Sequence, residues 1–288
     1  MNELANLQTV PRGARIPHMP LRARQGKSPW PHVMIVWGPG FRTAAHRHHC
    51  VQLLVTLRGS LLVRGAREKA WRKCGAVWVR PDAAHEVDAR GSTLLIGFIN
   101  AESDVGAALS ERIESEIACV PARQVERWRA VLGPTPNEAR AERWLNKFLR
   151  DTRREVAIHP GVRRVLSYLQ EPRAMLNDLS LKTLAGIAAL SPSRFMHAFT
   201  ESVRVPVRPY ILWLRLQRAA CDLMDGATVT TAAHRAGFSD SAHLTRTFRR
   251  MLGATPSDLA LLKRLSLGFS LESSEFPERV VRALHGAA

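Results

Sequence analysis

Three histidines and a glutamine are spaced so that they could form a binding site inside a β-structure. His46, His48 and Gln52 are separated by even numbers of residues, so their side chains share one face if they lie on a single strand. His85 occurs further along the chain and could meet them from another strand. Three imidazoles that leave coordination positions open suit a divalent ion such as zinc, iron or nickel.

The same residues have two interpretations without a metal. Gln52 is a weak neutral ligand, so His46, His48, Gln52 and His85 could instead line a pocket for a small organic effector, with Trp78 as an aromatic wall. They could also be core side chains whose polar atoms are paired within the protein. We favour the effector pocket and expect no cofactor, with a divalent metal as the alternative.

Short apolar runs between turn residues surround these candidates. From residue 33 to residue 100 the runs alternate with glycine-containing turns, which predicts an antiparallel barrel or sandwich. The pattern then becomes helical, and His159-Pro160-Gly161 interrupts it. The predicted segments are a basic arm at 1–30, a sensor barrel at 31–100, a helical packing or dimerisation segment at 101–155, a DNA-binding domain at 159–262 and a C-terminal extension at 263–288.

Charge and composition restrict the class of partner. The chain has 288 residues, with 42 Lys and Arg against 25 Asp and Glu, a net charge of +17. That excess attracts polyanions such as nucleic acids or anionic membrane surfaces. No part of the sequence offers the roughly 20 consecutive apolar residues of a membrane-spanning helix, so we expect a cytoplasmic protein with no membrane partner. The four cysteines lie far apart without a CxxC pair, which predicts reduced thiols.

Two similar helix pairs are predicted in the C-terminal half. Residues 180–203 and 228–252 each show two short amphipathic helices joined by a tight turn. A longer helix within 205–226 joins them, with a predicted polar face that includes Arg215 and Arg218. The second helix of each pair could enter the major groove of double-stranded DNA. The predicted DNA contacts are Ser193, Arg194, Met196 and His197 in the first pair, and Ser241, Ala242, Thr245, Arg246, Arg249 and Arg250 in the second. Arg246 is the candidate for reading a base, whereas Arg249 and Arg250 are assigned to phosphates.

The sequence of the second pair is similar to a known family pattern. Residues 237–250 read GFSDSAHLTRTFRR and are followed by GATPS, and Leu184-Ala185 and Ser191-Pro192-Ser193-Arg194-Phe195 extend the match. Residues 162–262 thereby resemble the DNA-binding domain of AraC/XylS-type transcription regulators. The resemblance implies a sequence-specific regulator, most commonly an activator, with double-stranded DNA, a second copy of the chain and RNA polymerase as partners.

The N-terminal histidines also lie within a recognisable pattern. It reads Gly40-x5-His46-x-His48-x3-Gln52-x6-Gly59, followed by Gly75-x5-Pro81-x3-His85. The first part resembles the first cupin motif with glutamine in place of glutamate, and the second part resembles a shortened second cupin motif. The resemblance implies the effector domain that precedes AraC-type DNA-binding domains.

The predicted fold class is α+β. A cupin-like antiparallel β-barrel with flanking helices precedes an all-α domain of two helix-turn-helix units. We expect a regulator that senses a small molecule, and no enzyme, because no motif for nucleophilic, phosphate-binding or dinucleotide chemistry occurs. The alternative is a metal-dependent cupin oxygenase or isomerase activity at His46, His48 and His85.

Overall fold

The computed structural model describes residues 33–136, 140–141, 143–144, 157–171, 174–259 and 268–271. The basic arm predicted for residues 1–30 lies outside these ranges. So do residues 145–156 and most of the predicted C-terminal extension. Within the described ranges, no helix combines the length and the apolar character needed to cross a membrane.

Nine strands in the described ranges form two antiparallel sheets. They are β1 Val33–Pro39, β2 Cys50–Arg58, β3 Leu61–Gly65, β4 Arg72–Cys74, β5 Ala76–Val79, β6 His85–Asp88, β7 Thr93–Asn100, β8 Ile117–Cys119 and β9 Gly268–Leu271. The larger sheet has the order β8-β5-β2-β7-β1-β9, and the smaller has the order β4-β3-β6. The antiparallel prediction is confirmed, but the described strands form two open sheets rather than one closed barrel.

The larger sheet is buried on both faces. Along β2, Val51, Leu53 and Val55 pack towards two helices, α1 (Asp104–Arg112) and α2 (Ala122–Leu132). The alternate residues Cys50 and Leu54 join a second apolar cluster on the other face. Because successive side chains on a strand point to opposite faces, this sheet needs a cover on each side.

The smaller sheet and the C-terminal domain share the second cover. The C-terminal domain consists of helices. Its helices are α3 Pro160–Leu169, α4 Leu181–Ala188, α5 Pro192–Val203, α6 Val207–Met224, α7 Val229–Arg235 and α8 Ser241–Leu252, with a 3-10 turn at Ala174–Leu176. The helix pairs α4–α5 and α7–α8 confirm the predicted all-α helix-turn-helix region.

Each helix of the two pairs begins at a side-chain cap. Ser180, Ser191, Thr228 and Asp240 each accept a hydrogen bond from the backbone N–H three residues later. Such a cap stabilises a helix by about 1 kcal/mol. The polar residues at these four positions therefore determine where the short helices start.

The joining helix α6 is more deeply buried than its sequence predicts. Trp213 is 1% exposed and packs in one cluster with residues of the larger sheet. The predicted polar face is wrong at Arg218, which is 4% exposed and donates hydrogen bonds from Nη2 to the carbonyl oxygens of Leu169 and Glu171. Burial lowers the pKa of Arg218 to about 10. The carbonyls at the end of α3 thus receive a buried guanidinium instead of water.

The prediction of four reduced thiols is wrong for one pair. Cys74 of β4 and Cys119 of β8 form a disulfide, with a Cα–Cα distance of 5.9 Å, while Cys50 and Cys221 are free and buried. The two bonded cysteines are 45 residues apart. They meet because β8 pairs with β5, the strand that directly follows β4.

Candidate DNA-binding surface and interdomain histidine cluster

The second helix of the first pair exposes the residues predicted to contact DNA. Ser193, Arg194, Met196 and His197 of α5 are all exposed. On the opposite side Phe195 and Phe199 are fully buried, with ring centroids 5.6 Å apart. The apolar side of α5 anchors it in the domain and leaves the other side available to a partner.

Helix α8 has the same division between a buried and an exposed side. Leu244, Thr247 and Phe248 are buried. Three arginines and an alanine are exposed, while the two hydroxyl residues are half-buried and linked by a hydrogen bond from Thr245 Oγ1 to the carbonyl of Ser241 at 2.8 Å. The exposed residues are Ala242, Arg246, Arg249 and Arg250.

The turn before α8 is fixed by close packing. Gly237 has a φ of +77°, and a Cβ at this position would lie 2.6 Å from the carbonyl oxygen of Met175. Asp240 accepts a hydrogen bond from the N–H of His243 at 2.6 Å. This bond, with a smaller contribution from the nearby charge of Arg246, lowers the pKa of Asp240. The orientation of α8 relative to α7 therefore depends on a glycine and an ionised cap.

Three histidines form a buried cluster next to the C-terminal domain; His85 begins β6 of the smaller sheet, and His46 and His48 precede β2 of the larger one. One ring nitrogen from each of His46, His48 and His85 lies within 4.8 Å of the other two. The backbones of His46 and His85 form an isolated antiparallel bridge with two hydrogen bonds of 3.0 and 2.9 Å. The structure thus brings together the three histidines that the sequence groups.

Hydrogen bonds to Nδ1 orient the three rings. Nδ1 of His46 lies 2.9 Å from the carbonyl oxygen of Ala44, and Nδ1 of His85 lies 2.9 Å from that of Ala83. A carbonyl can only accept, so both Nδ1 atoms donate and each neutral ring keeps its lone pair on Nε2. Nδ1 of His48 lies 3.1 Å from Sγ of Cys50.

Burial keeps the cluster in its neutral form. Desolvation lowers the pKa of His46 to about 4 and that of His85 to about 3. The pKa of His48 is held well below its ordinary value by the same desolvation and by the neighbouring histidines. Neutral imidazole is the form that binds metals.

The cluster lies directly against the helices of the C-terminal domain. The His48 ring centroid is 5.9 Å from that of Trp213 in α6. The N–H of Ala44 donates to the carbonyl oxygen of Gly253 at 2.9 Å, at the C-terminal end of α8. A cavity of about 80 Å³ lies beside the cluster, with His46 and Gln52 in a wall that is otherwise mostly apolar.

Comparison with known proteins assigns the C-terminal helices. Residues 184–260 match the profile of a helix-turn-helix domain family. This part of the chain is therefore a helix-turn-helix domain. An apo form of ToxT from Vibrio cholerae is similar to 82% of this chain over 98% of its own length, with 9% identity and a TM-score of 0.55. ToxT from Vibrio cholerae O395 matches over 80% of this chain and 96% of its own, with 8% identity and a TM-score of 0.51.

A third solved structure matches a smaller share of the chain. It is a transcriptional regulator from Chromobacterium violaceum, 22% identical over 36% of this chain and 92% of its own, with a TM-score of 0.33. The two ToxT structures show that the sheets and helices together form a known fold.

Trp78 does not join the histidines. It lies on β5 between Val77 and Val79, which face the apolar cluster formed with the smaller sheet and the C-terminal helices. Trp78 points the other way and packs against Trp128 of α2, with ring centroids 6.3 Å apart. The sequence identifies Trp78 as an aromatic strand residue, but it does not fix which face of the sheet that residue occupies.

Polar contacts between the N-terminal part and helix α6 were not predicted. The hydroxyl of Tyr210 donates to Oε1 of Glu102 at 2.7 Å, and Nε2 of Gln217 donates to Oδ1 of Asn100 at 3.2 Å. Gln217 is 6% exposed. A glutamine within the apolar stripe of α6 is the sequence signal that could have indicated a polar partner on that side.

Proposed function

We propose that this protein is a sequence-specific regulator of transcription that binds double-stranded DNA through its AraC-type domain. The observation that carries the proposal is the repeated division of α5 and α8 into a buried apolar side and an exposed polar or basic side. The net charge of +17 adds attraction to the phosphate backbone. By its resemblance to AraC/XylS-type regulators, we further propose an activator that works as a homodimer and contacts RNA polymerase.

The two exposed helix sides suit two neighbouring turns of the duplex. Helix α6, which joins the two units, has 18 residues and is about 27 Å long at 1.5 Å per residue. One turn of B-DNA is about 34 Å. Arg246 can pair with O6 and N7 of a guanine through two parallel hydrogen bonds, while Arg249 and Arg250 lie in the last turn of α8 and are placed for phosphates.

A pair of arginine variants tests this assignment in the full-length protein. Binding is measured for a library of duplexes and as a function of salt concentration. Arg246→Ala should lose about 1–3 kcal/mol at one base position and relax the preference there. Arg249→Ala should weaken binding to all sequences alike and reduce the salt slope by about one. An unchanged sequence preference in Arg246→Ala would refute its base-reading role, and no binding to any duplex at low salt would refute the proposed function.

The N-terminal domain is proposed to sense an effector at its contact with the AraC-type domain. An effector can regulate only if it binds two arrangements of the domains with different affinity. The position of the histidine cluster, in contact with both α6 and the end of α8, supports this proposal. The polar partners of its rings are backbone carbonyls, a thiol and an amide, which favours a sensor over an enzyme that needs a carboxylate for proton transfer.

A further inference from the structure

We propose that His46, His48 and His85, with Oε1 of Gln52, bind one divalent transition-metal ion, and that this ion is the effector of the regulator. The metal site is argued from the geometry of the cluster alone. The regulatory part rests on the proposed function.

The three rings are held as metal ligands usually are. A metal-bound histidine typically donates its other ring N–H to a carbonyl, a carboxylate or water, which fixes the tautomer and the ring orientation. His46 and His85 do this through the carbonyls of Ala44 and Ala83. Both carbonyls lie two residues before the histidine that they orient, so the local backbone sets both rings.

Three polar atoms of the cluster lack a suitable partner among the described residues. Nε2 of His48 is buried and has no hydrogen-bond partner among the described residues. Nε2 of His85 faces Oε1 of Gln52 at 3.0 Å. With Nδ1 of His85 donating to a carbonyl, these two atoms both carry lone pairs. A cation between the rings can accept lone pairs from His48, His85 and Gln52 at once.

The size of the adjoining cavity favours an ion over an organic effector. Sites for small organic ligands usually occupy about 300–1,000 Å³. The cavity that His46 and Gln52 border is about 80 Å³. An ion bound between the rings needs no cavity of its own.

The donor set selects the kind of ion. Imidazole nitrogens suit zinc, copper, iron and nickel, whereas magnesium and calcium prefer sites built from oxygen. Three neutral imidazoles and a neutral amide leave the charge of the ion uncompensated in a buried site. We therefore expect weaker, more reversible binding than with a carboxylate at position 52, which suits a sensor.

Metal binding would move residues that touch the AraC-type domain. Nitrogen ligands of a tetrahedral zinc site lie about 3.3 Å apart, given Zn–N distances of 2.0–2.1 Å. The ring nitrogens here lie within 4.8 Å of one another, so the cluster can contract by up to about 1.5 Å on binding. His48 contacts Trp213 of α6, and a Cβ on Gly253 at the end of α8 would lie only 2.7 Å from Nδ1 of His46. Contraction of the cluster would therefore act on α6 and on the end of α8, and so on the position of the second helix-turn-helix pair, α7–α8.

Cobalt and zinc titrations of the full-length, chelator-treated protein test the site. We expect one equivalent of Zn²⁺ per chain in equilibrium dialysis, and visible absorption bands of tetrahedral Co²⁺. His48→Ala should lose the bound equivalent, while the exposed His234→Ala control should keep it. Gln52→Glu should bind Zn²⁺ about tenfold more tightly. Because this variant keeps all three histidines, it still tests the site if His48→Ala does not fold. The absence of a bound equivalent in the wild type, or its retention in a folded His48→Ala variant, would overturn the site.

Duplex binding with and without Zn²⁺ tests the regulatory part. We expect Zn²⁺ to change the dissociation constant for DNA by about fivefold or more in the wild type, and to have no effect in His48→Ala. If the protein binds DNA but no Zn²⁺, the metal proposal fails and the proposed function stands. If it binds Zn²⁺ but no duplex, the proposed function fails and the metal site stands. If both bind independently, the ion is not the effector.

Discussion

Replacing Gly253 by alanine tests whether the end of α8 is clamped against the N-terminal domain. Gly253 has a φ of +64°, and a Cβ there would lie 2.5 Å from the carbonyl oxygen of Ala44 and 2.9 Å from Cβ of Thr43. The left-handed backbone costs a residue with a Cβ about 1 kcal/mol. Losing the hydrogen bond from Ala44 N–H costs about 1 kcal/mol more. We therefore expect Gly253→Ala to lower the free energy of unfolding by at least about 2 kcal/mol.

A second glycine separates backbone strain from the interdomain clash. Gly91 has a φ of +77°, and a Cβ there would meet nothing within 4 Å, so Gly91→Ala should cost only about 1 kcal/mol. Urea unfolding gives both free energies, and hydrogen exchange at the Ala44 amide reports the contact itself. Exchange should accelerate in Gly253→Ala and stay unchanged in Gly91→Ala. Equal destabilisation of both variants, with the Ala44 amide equally protected, would show that α8 is not clamped.

Two further predictions concern the cap of α8 and the disulfide. The hydrogen bond from His243 N–H lowers the pKa of Asp240 below its ordinary 3.8, so the stability that this group contributes is present above pH 3.8 and is lost as the pH falls through its folded value. Asp240→Asn should keep the cap, but the urea concentration at half-unfolding should depend less on pH between about pH 2 and 6 than in the wild type. An unchanged pH dependence would contradict a stabilising role of the ionised Asp240. Cys74→Ser should cost up to about 4 kcal/mol, the chain-entropy value for a loop of 45 residues. Thiol titration of the unfolded, unreduced wild type should find two reactive thiols, and four would contradict the disulfide.

The exposed sides of α5 and α8 were predictable because their determinants are local. The apolar periodicity of α5 and α8 and the caps at Ser191 and Asp240 lie within a few residues of the helices that they define. Such patterns specify which side of a short helix is buried without knowledge of its partner. The exposed position of Arg246 follows from the buried positions of Leu244 and Phe248 on the same helix.

The histidine cluster was predicted correctly, but the reason given for it, a single strand, was wrong. Even separation suggested one strand for His46, His48 and Gln52, yet β2 begins only at Cys50. His46 is instead aligned by its backbone bridge to His85. Trp78 shows the limit of such patterns, because alternation along a strand defines two faces but does not say which one meets the histidines.

Contacts between distant parts of the chain could not be predicted. The burial of Arg218 depends on the end of α3 and on the sheet that covers α6. The disulfide depends on a strand pairing across 45 residues. The packing of α6 on the sheet and the pairing of β8 with β5 join residues that are far apart in the chain. Neither produces a periodic pattern in a single sequence.

The pairing of β9 with β1 makes the helical region an insertion. Residues 268–271 return to the sheet and pair with the first strand, so the polypeptide enters and leaves the helical region from one scaffold. The eight residues between Leu259 and Gly268 span at most about 30 Å when extended. A domain connected to the sheet at both ends can shift or rotate by a small amount while β9 stays paired with β1. A larger separation from the sheet requires the hydrogen bonds between β9 and β1 to break.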